Sequence, residues 1–393
     1  MTHRLRWFCA LAVVAGAAQA AKPPAAPKAP PPELPAETLT GTTLASAPSE
    51  RIYVADVAIA HITDGRLRVF GARDGKLLGM VNTGFAGNFA LSARSDEVYV
   101  ATTYLSRGGR GDRADVLEVW DSGTLGLKYE VLLPPHRAQA LNYRGLVRAT
   151  TNGRFVLVQN ATPATSVTVV DLAQRKVASE IATPGCWGVW PIGNSNRFAT
   201  LCGDGKMVTI TLDDAGQATD RAASDKLFDA DQDPWFHHAE VVGERMFYVS
   251  FKGVLNELDL SGPAARLLRS QSFVDAAAAK AGWRPGGYQA FAVTPDGRQM
   301  VVAMHDKGSE GTHKMPAKSL WVVDTATGQR TARLPGHASA SLTFSHNGQR
   351  LQALDGMTGA LNVWQWNPAK PALTLMTKVA KAGEASLHLE SHD

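Results

Sequence analysis

The chain has 393 residues, 45% of them hydrophobic and 19% charged, a globular composition that excludes wholesale disorder. Its formal charge is +4, and removing Arg4 and Arg6 with a leader leaves 38 basic against 36 acidic residues. That near-balance lacks the concentrated basic face a nucleic-acid partner requires, while 36 glycines and 21 prolines favour many short elements over long helices.

In chain order, residues 1–20 read as a signal peptide. Arg4 and Arg6 give a positive start, Trp7 to Ala17 is an apolar run, and Ala18-Gln19-Ala20 is an A-x-A cleavage site. The run is too short to span a bilayer. Export, with cleavage after Ala20 and no membrane span, is the expectation. Residues 22–35 then carry 7 of the 21 prolines, which marks 21–45 as an extended, disordered tether. The folded domain is expected over 46–393.

Two cysteines remain after the leader, Cys186 and Cys202. An isolated pair in an exported chain reads most simply as a disulfide. A zinc site would need further ligands nearby, and a reactive thiol would need no mate.

From residue 50 onward the pattern is one of short β-branched or aromatic runs: 98–100, 117–120, 155–158, 167–170, 208–211 and 320–323, each bounded by turn residues. Only 271–281 (QSFVDAAAAKA) has a helical composition. The runs recur as a unit in which a strand ends, a Gly/Lys/Gln-rich turn follows and a second strand returns. Its anchors are Gly71, Asp121, Asp171, Leu212, Asp259, Asp324 and Asn367, spaced on average about 49 residues apart. Asp-Gly or Asn-Gly hairpins at 150–159, 294–304 and 345–354 interleave with them. A repeat of this length built from four short strands predicts an all-β fold, a β-propeller of four-stranded antiparallel blades. Seven anchors predict seven blades. The 65-residue gap between Asp259 and Asp324 leaves six or eight open.

A propeller does not name a function, and motifs for an autonomous active site are missing. There is no G-x-S-x-G, no H-E-x-x-H and no phosphate-binding loop. Asp233, His237 and His238 are a weak metal candidate against ordinary turn histidines, so no metal site is assigned. His305, Asp306 and His313 are a weak acid–base candidate against a polar connecting loop. Arg107 to Arg113 (RGGRGDR) reads as a solvated loop.

Several segments resemble the heavy (alpha) chain of the quinoprotein amine dehydrogenases, the methylamine and aromatic amine dehydrogenase family. They are RIYVAD at 51–56, LSRGGRGDRADVLEVWD at 105–121, TPGCWGVWPIG at 183–193, LCGDGKMVTI at 201–210, KAGWRPGGYQAFAV at 280–293 and GTHKMPAKSLWVVDTATGQRTARL at 311–334. They lie in register from residue 50 to about 365, and GWRPGG is the most distinctive of them.

The resemblance implies a seven-bladed periplasmic propeller with a disulfide at the positions of Cys186 and Cys202. It implies a heavy chain that pairs with a light (beta) chain in an α2β2 enzyme oxidising primary amines to aldehyde and ammonia. The light chain would carry the cofactor, tryptophan tryptophylquinone, and the catalytic base, and electrons would pass to a blue copper protein of amicyanin or azurin type. No catalytic residue and no cofactor is then expected on this chain, because the cofactor carries the chemistry. Trp283, Arg284, Pro285, Gly286 and Gly287 are a family signature expected to be structural. The family places an aromatic in the amine channel soon after the first strand. Here 55–65 reads ADVAIAHITDG, and Ala60 takes that position, so the family's substrate size is not carried over. The alternative is a non-catalytic exported propeller that binds or scaffolds; an autonomous lactonase-like enzyme is a third reading.

Overall fold

The computed structural model describes residues 43–44, 50–139 and 142–392. The expected signal peptide lies outside the described residues, as does the tether except for residues 43–44, where the Leu44 N–H donates to the Gly123 carbonyl at 2.6 Å.

The fold is a seven-bladed β-propeller. Blade 1 takes its innermost strand from the C-terminus (Ser386–His392), followed outward by Arg51–Asp56, Gly65–Gly71 and the first half of Leu77–Leu91. That last strand runs on, so that Phe85 to Leu91 form the innermost strand of blade 2. Blade 2 continues with Glu97–Leu105, Arg113–Asp121 and Leu127–Leu133. Blades 3, 4, 5 and 7 are consecutive four-stranded sheets beginning at Val147–Ala149, Cys186–Ile192, Glu240–Val242 and Ser339–Phe344. Blade 6 differs in that its innermost strand is broken into Arg284–Pro285 and Phe291–Val293, both paired with Gln299–His305. Because the C-terminal strand completes the blade that the N-terminal strands began, the ring closes through backbone hydrogen bonds.

Each of the seven anchors sits at the turn between the third and fourth strand of a blade, one per blade. Their chemistry explains the repeat. The Asp121 carboxylate accepts from the Thr124 N–H and hydroxyl at 2.8 and 2.9 Å, and Asp324 does the same with Thr327 at the same distances. In both turns the residue four positions on donates its N–H back to the anchor carbonyl at 2.8 Å and has a positive φ. An Asp that folds its side chain onto the following backbone is a turn-forming device.

The strand runs have a packing counterpart. Among the described residues seven apolar clusters are present, one at each interface between neighbouring blades. Innermost strands are the more enclosed, with Ser339–Phe344 buried along its whole length, whereas outer strands such as Ala218–Ala223 face solvent. The helix is shorter than its composition suggested, running only over Ala276–Lys280. Gln271 and Ser272 belong instead to the outer strand Arg266–Ser272, because pairing with Val254–Asp259 captures them. Asp275 caps the helix by accepting the Ala278 N–H at 2.8 Å. This helix and the long 306–318 loop fill the 65-residue gap without an eighth blade.

Candidate functional site on one face of the propeller

Antiparallel neighbours force the loops entering each innermost strand onto the same face as the loops joining the second and third strands. Every candidate site residue named from the sequence falls on that face. Ala60 lies in the second-to-third loop of blade 1, Arg107 to Arg113 in that of blade 2, and His305 to His313 in that of blade 6. Cys186 begins the innermost strand of blade 4 opposite Cys202, to which it is disulfide-bonded. Asp233, His237 and His238 lead into blade 5, and the 283–287 signature forms the broken entry to blade 6.

At the propeller axis this face opens into a cavity of about 730 Å³. Its apolar lining comes from Tyr143, Trp235, Phe236, Phe251 and Tyr288, together with the ring of His237. The Tyr143 ring sits 5.1 Å from His237 and 6.4 Å from Tyr288, centroid to centroid. Burial, reinforced by neighbouring His238, pushes His237 down to about 4, so its imidazole is neutral at physiological pH. A smaller cavity of about 390 Å³ lies on the other side, lined by Arg144, Arg148, Trp190 and Glu240.

Between the cavities lies a buried ionic network. Arg144 donates through Nη1 to Glu240 at 2.5 Å and through Nε to Glu390 at 2.6 Å. Arg148 adds a second donor to Glu390 at 2.8 Å. His238 lies 3.3 Å from Glu240, and His388, stacked on Phe89, lies 3.4 Å from Glu390. Burial alone would raise both carboxyls. The guanidiniums outweigh it, holding Glu390 well below its ordinary value and Glu240 below it. Two cations facing two anions leave the partition formally neutral, which is the condition for burying charge at tolerable cost.

The sequence candidates separate by role. The Asp233 carboxylate is occupied by the Ser250 hydroxyl at 2.6 Å and the Lys252 N–H at 2.8 Å, bracing a turn. Among the described residues no group of three His, Cys, Asp or Glu is placed to hold a metal. Asp306 pairs with Lys318, and His305 packs beneath Gly286. His313 lines the cavity and its carbonyl accepts the Gly287 N–H at 2.9 Å. Trp283 packs on Trp321 in the cluster between blades 5 and 6, and Arg284 donates to the Trp283 carbonyl at 2.8 Å. A Cβ on Gly286 would lie 2.4 Å from the Met315 carbonyl oxygen, and one on Gly287 (φ 126°) 2.3 Å from that of Ala340. Ala60 is exposed in the short 3-10 turn Ile59–His61, outside the cavity lining. The network residues carried no signal in the sequence, because they come from three separate blades: Arg144 and Arg148 from blade 3, Glu240 from blade 5, and His388 and Glu390 from the C-terminal strand of blade 1.

Residues 48–383 match the family profile described as methylamine dehydrogenase heavy chain (MADH). The chain is 28% identical over 311 residues to the methylamine dehydrogenase heavy chain of Methylophilus methylotrophus, covering 77% of this chain and 75% of that one. With the heavy chain of Methylobacillus flagellatus it shares 27% over 293 residues, covering 74% and 72%. Among solved structures, a 6-phosphogluconolactonase-like protein from Bacteroides fragilis superposes with a TM-score of 0.63 at 14% identity, over 89% of this chain and 99% of that one. The β-propeller domain of Cps50 (Swd1) from Myceliophteria thermophila gives 0.55 at 10% identity, over 84% and 99%. At such identities the likeness is one of fold alone.

Proposed function

Because the chain belongs to the methylamine dehydrogenase heavy chain family, we propose that it is the heavy subunit of an amine dehydrogenase that oxidises primary amines to aldehyde and ammonia. The observation that carries this is the extent of the family match, which runs from blade 1 through all seven blades.

In this reading a separate light chain holds tryptophan tryptophylquinone, the assembly is α2β2, a blue copper protein takes the electrons, and the complex works in the periplasm. When bound, the quinone supplies the two-electron acceptor for amine oxidation. Among the described residues, the tryptophan pair in ring contact does not fit that group. Trp283 and Trp321 pack with ring centroids 5.3 Å apart, but Trp321 is wholly buried beneath the guanidiniums of Arg330 and Arg333. No amine reaches it there, which supports a quinone housed on the partner. The gathering of the resembling loops on one face supports docking of the light chain on that face. Ala60, exposed on it, would then border the amine path and leave it wider than an aromatic would.

The test is recovery of the tagged chain from the periplasm of cells grown on a primary amine. Co-purification of a smaller subunit that reduces a dye when the amine is added is expected. Recovery of this chain alone, inert toward amine and dye, would overturn the reading in favour of a non-catalytic binding propeller.

A further inference from the structure

Beyond the quinone chemistry, the axial cavity itself has a ligand preference written into its walls. Lys314, on the exposed 306–318 loop, lays its Nζ over the Tyr288 ring, 5.6 Å from the centroid. A primary ammonium on an aromatic face is a cation–π contact, attracted by the ring's negative quadrupole. The second tyrosine, Tyr143, stands beside Tyr288, and neutral His237 adds no competing positive charge. The cavity lining also includes two carboxylates, Asp231 and Glu310, neither of which is in an ion pair among the described residues. Lys252 is the other lysine or arginine of the lining.

We infer that the axial cavity is a binding site for small organic ammonium ions on this chain, and that the Lys314 side chain occupies it as a built-in competitor. The charge count agrees. Among the lining residues, with histidines neutral and Lys314 swung out, two carboxylates outnumber the single ammonium of Lys252, and the remaining formal charge of −1 matches one incoming monocation. Lys314 can leave cheaply, because its side chain is solvent-exposed and makes no ion pair or hydrogen bond among the described residues. That the site holds substrate before oxidation rests on the amine-dehydrogenase reading. The ammonium recognition does not.

The test uses the full chain, in whatever assembly it is recovered, and saturation-transfer NMR with tetramethylammonium. A quaternary nitrogen cannot condense with a carbonyl, so binding is read apart from any turnover. The uncharged probe of nearly the same shape is tert-butanol, which like the cation carries four groups on one tetrahedral centre. Tetramethylammonium is expected to bind in preference to the alcohol. Tyr288→Ala should weaken it by about three- to fivefold, the scale of one exposed cation–π contact, while Tyr288→Phe retains it. Lys314→Ala should tighten binding severalfold, and Lys252→Ala, which removes the same charge from the cavity lining without an aromatic contact, should change it less. Equal binding of alcohol and cation would reduce the cavity to an apolar hollow. Equal effects of the two lysine variants, or none from Lys314→Ala, would remove the built-in competitor. Loss of amine oxidation with cation binding intact would sink the enzymatic reading and leave this one standing.

Discussion

Arg144 donates its Nε–H to Glu390 at 2.6 Å across 246 positions of sequence, joining the lead-in to blade 3 with the C-terminal strand that closes blade 1. Through Glu240 the same guanidinium reaches blade 5. One side chain thus ties the lead-in of blade 3 to the innermost strands of blades 1 and 5 across the axis, where apolar packing between adjacent blades does not reach.

Breaking that link should therefore cost far more than a surface ion pair. Arg144→Met leaves Glu240 with no guanidinium partner and Glu390 with Arg148 alone, both buried. A loss of about 3–5 kcal/mol is expected, the scale for removing one partner from a buried pair. Urea denaturation measures it, and a change under about 1 kcal/mol would show the network to be solvated.

Acid should act on the same region in two stages. His237 and His388 are both lowered from 6.5, chiefly by burial, so the folded chain holds them neutral while the unfolded chain protonates them. Their contribution is complete above about pH 6.5 and is lost as the pH falls toward the folded values. Glu240 and Glu390 are lowered from 4.5, so their contribution is lost further down, as the pH falls below the unfolded value. The Tm is expected to decline from about pH 6.5 and to drop more steeply below about 4.5. His237→Asn should flatten the upper stage, and a Tm that stays level from pH 7 to 4 would contradict the assignment.

The Cys186–Cys202 bridge fastens the two innermost strands of blade 4 beside the axial cavity. A closed loop of this length constrains the unfolded chain by about 3 kcal/mol on the entropy model. The double variant Cys186→Ala/Cys202→Ala should lower the Tm by several degrees, and adding reductant to that variant should have no further effect. A reductant-sensitive Tm in the double variant would point to some other cause.

Gly287 is the most constrained position of the blade 6 signature. Alanine there must hold φ near 126° and place its Cβ 2.3 Å from the Ala340 carbonyl oxygen, on the neighbouring innermost strand. Gly287→Ala is expected to cost about 2–4 kcal/mol and to reduce soluble yield. Wild-type thermal stability in that variant would mean the backbone can shift away freely.

Ala60 offers the opposite case, a position with room. Its side chain is exposed, so Ala60→Phe should leave the Tm unchanged. In the assembled enzyme the added ring should raise KM for bulky amines more than for methylamine. An unchanged ratio of kcat/KM between small and bulky amines would place the amine path elsewhere.

Local chemistry made the architecture legible. Asp121 and Asp324 mark their turns because a carboxylate folds onto the next backbone N–H whatever surrounds it, and runs such as Val167 to Val170 mark buried strands because both faces of a blade are covered. The cysteine pair was readable because no third cysteine beyond Cys9 competes for it. What the sequence could not assign was partnership across the ring. Ser386–His392, with its two histidines and a glutamate, resembles a polar tail, yet it is the innermost strand of blade 1 and buried along nearly its whole length. The continuation of Leu77–Leu91 from one blade into the next is likewise invisible to a pattern that repeats by blade. His237, Tyr143 and Tyr288 come from three separate entry loops, and Arg144, Glu240 and Glu390 from three separate blades. Ring closure brings each group to the axis, because a residue's distance from the axis depends on which strand is innermost and not on its neighbours in sequence.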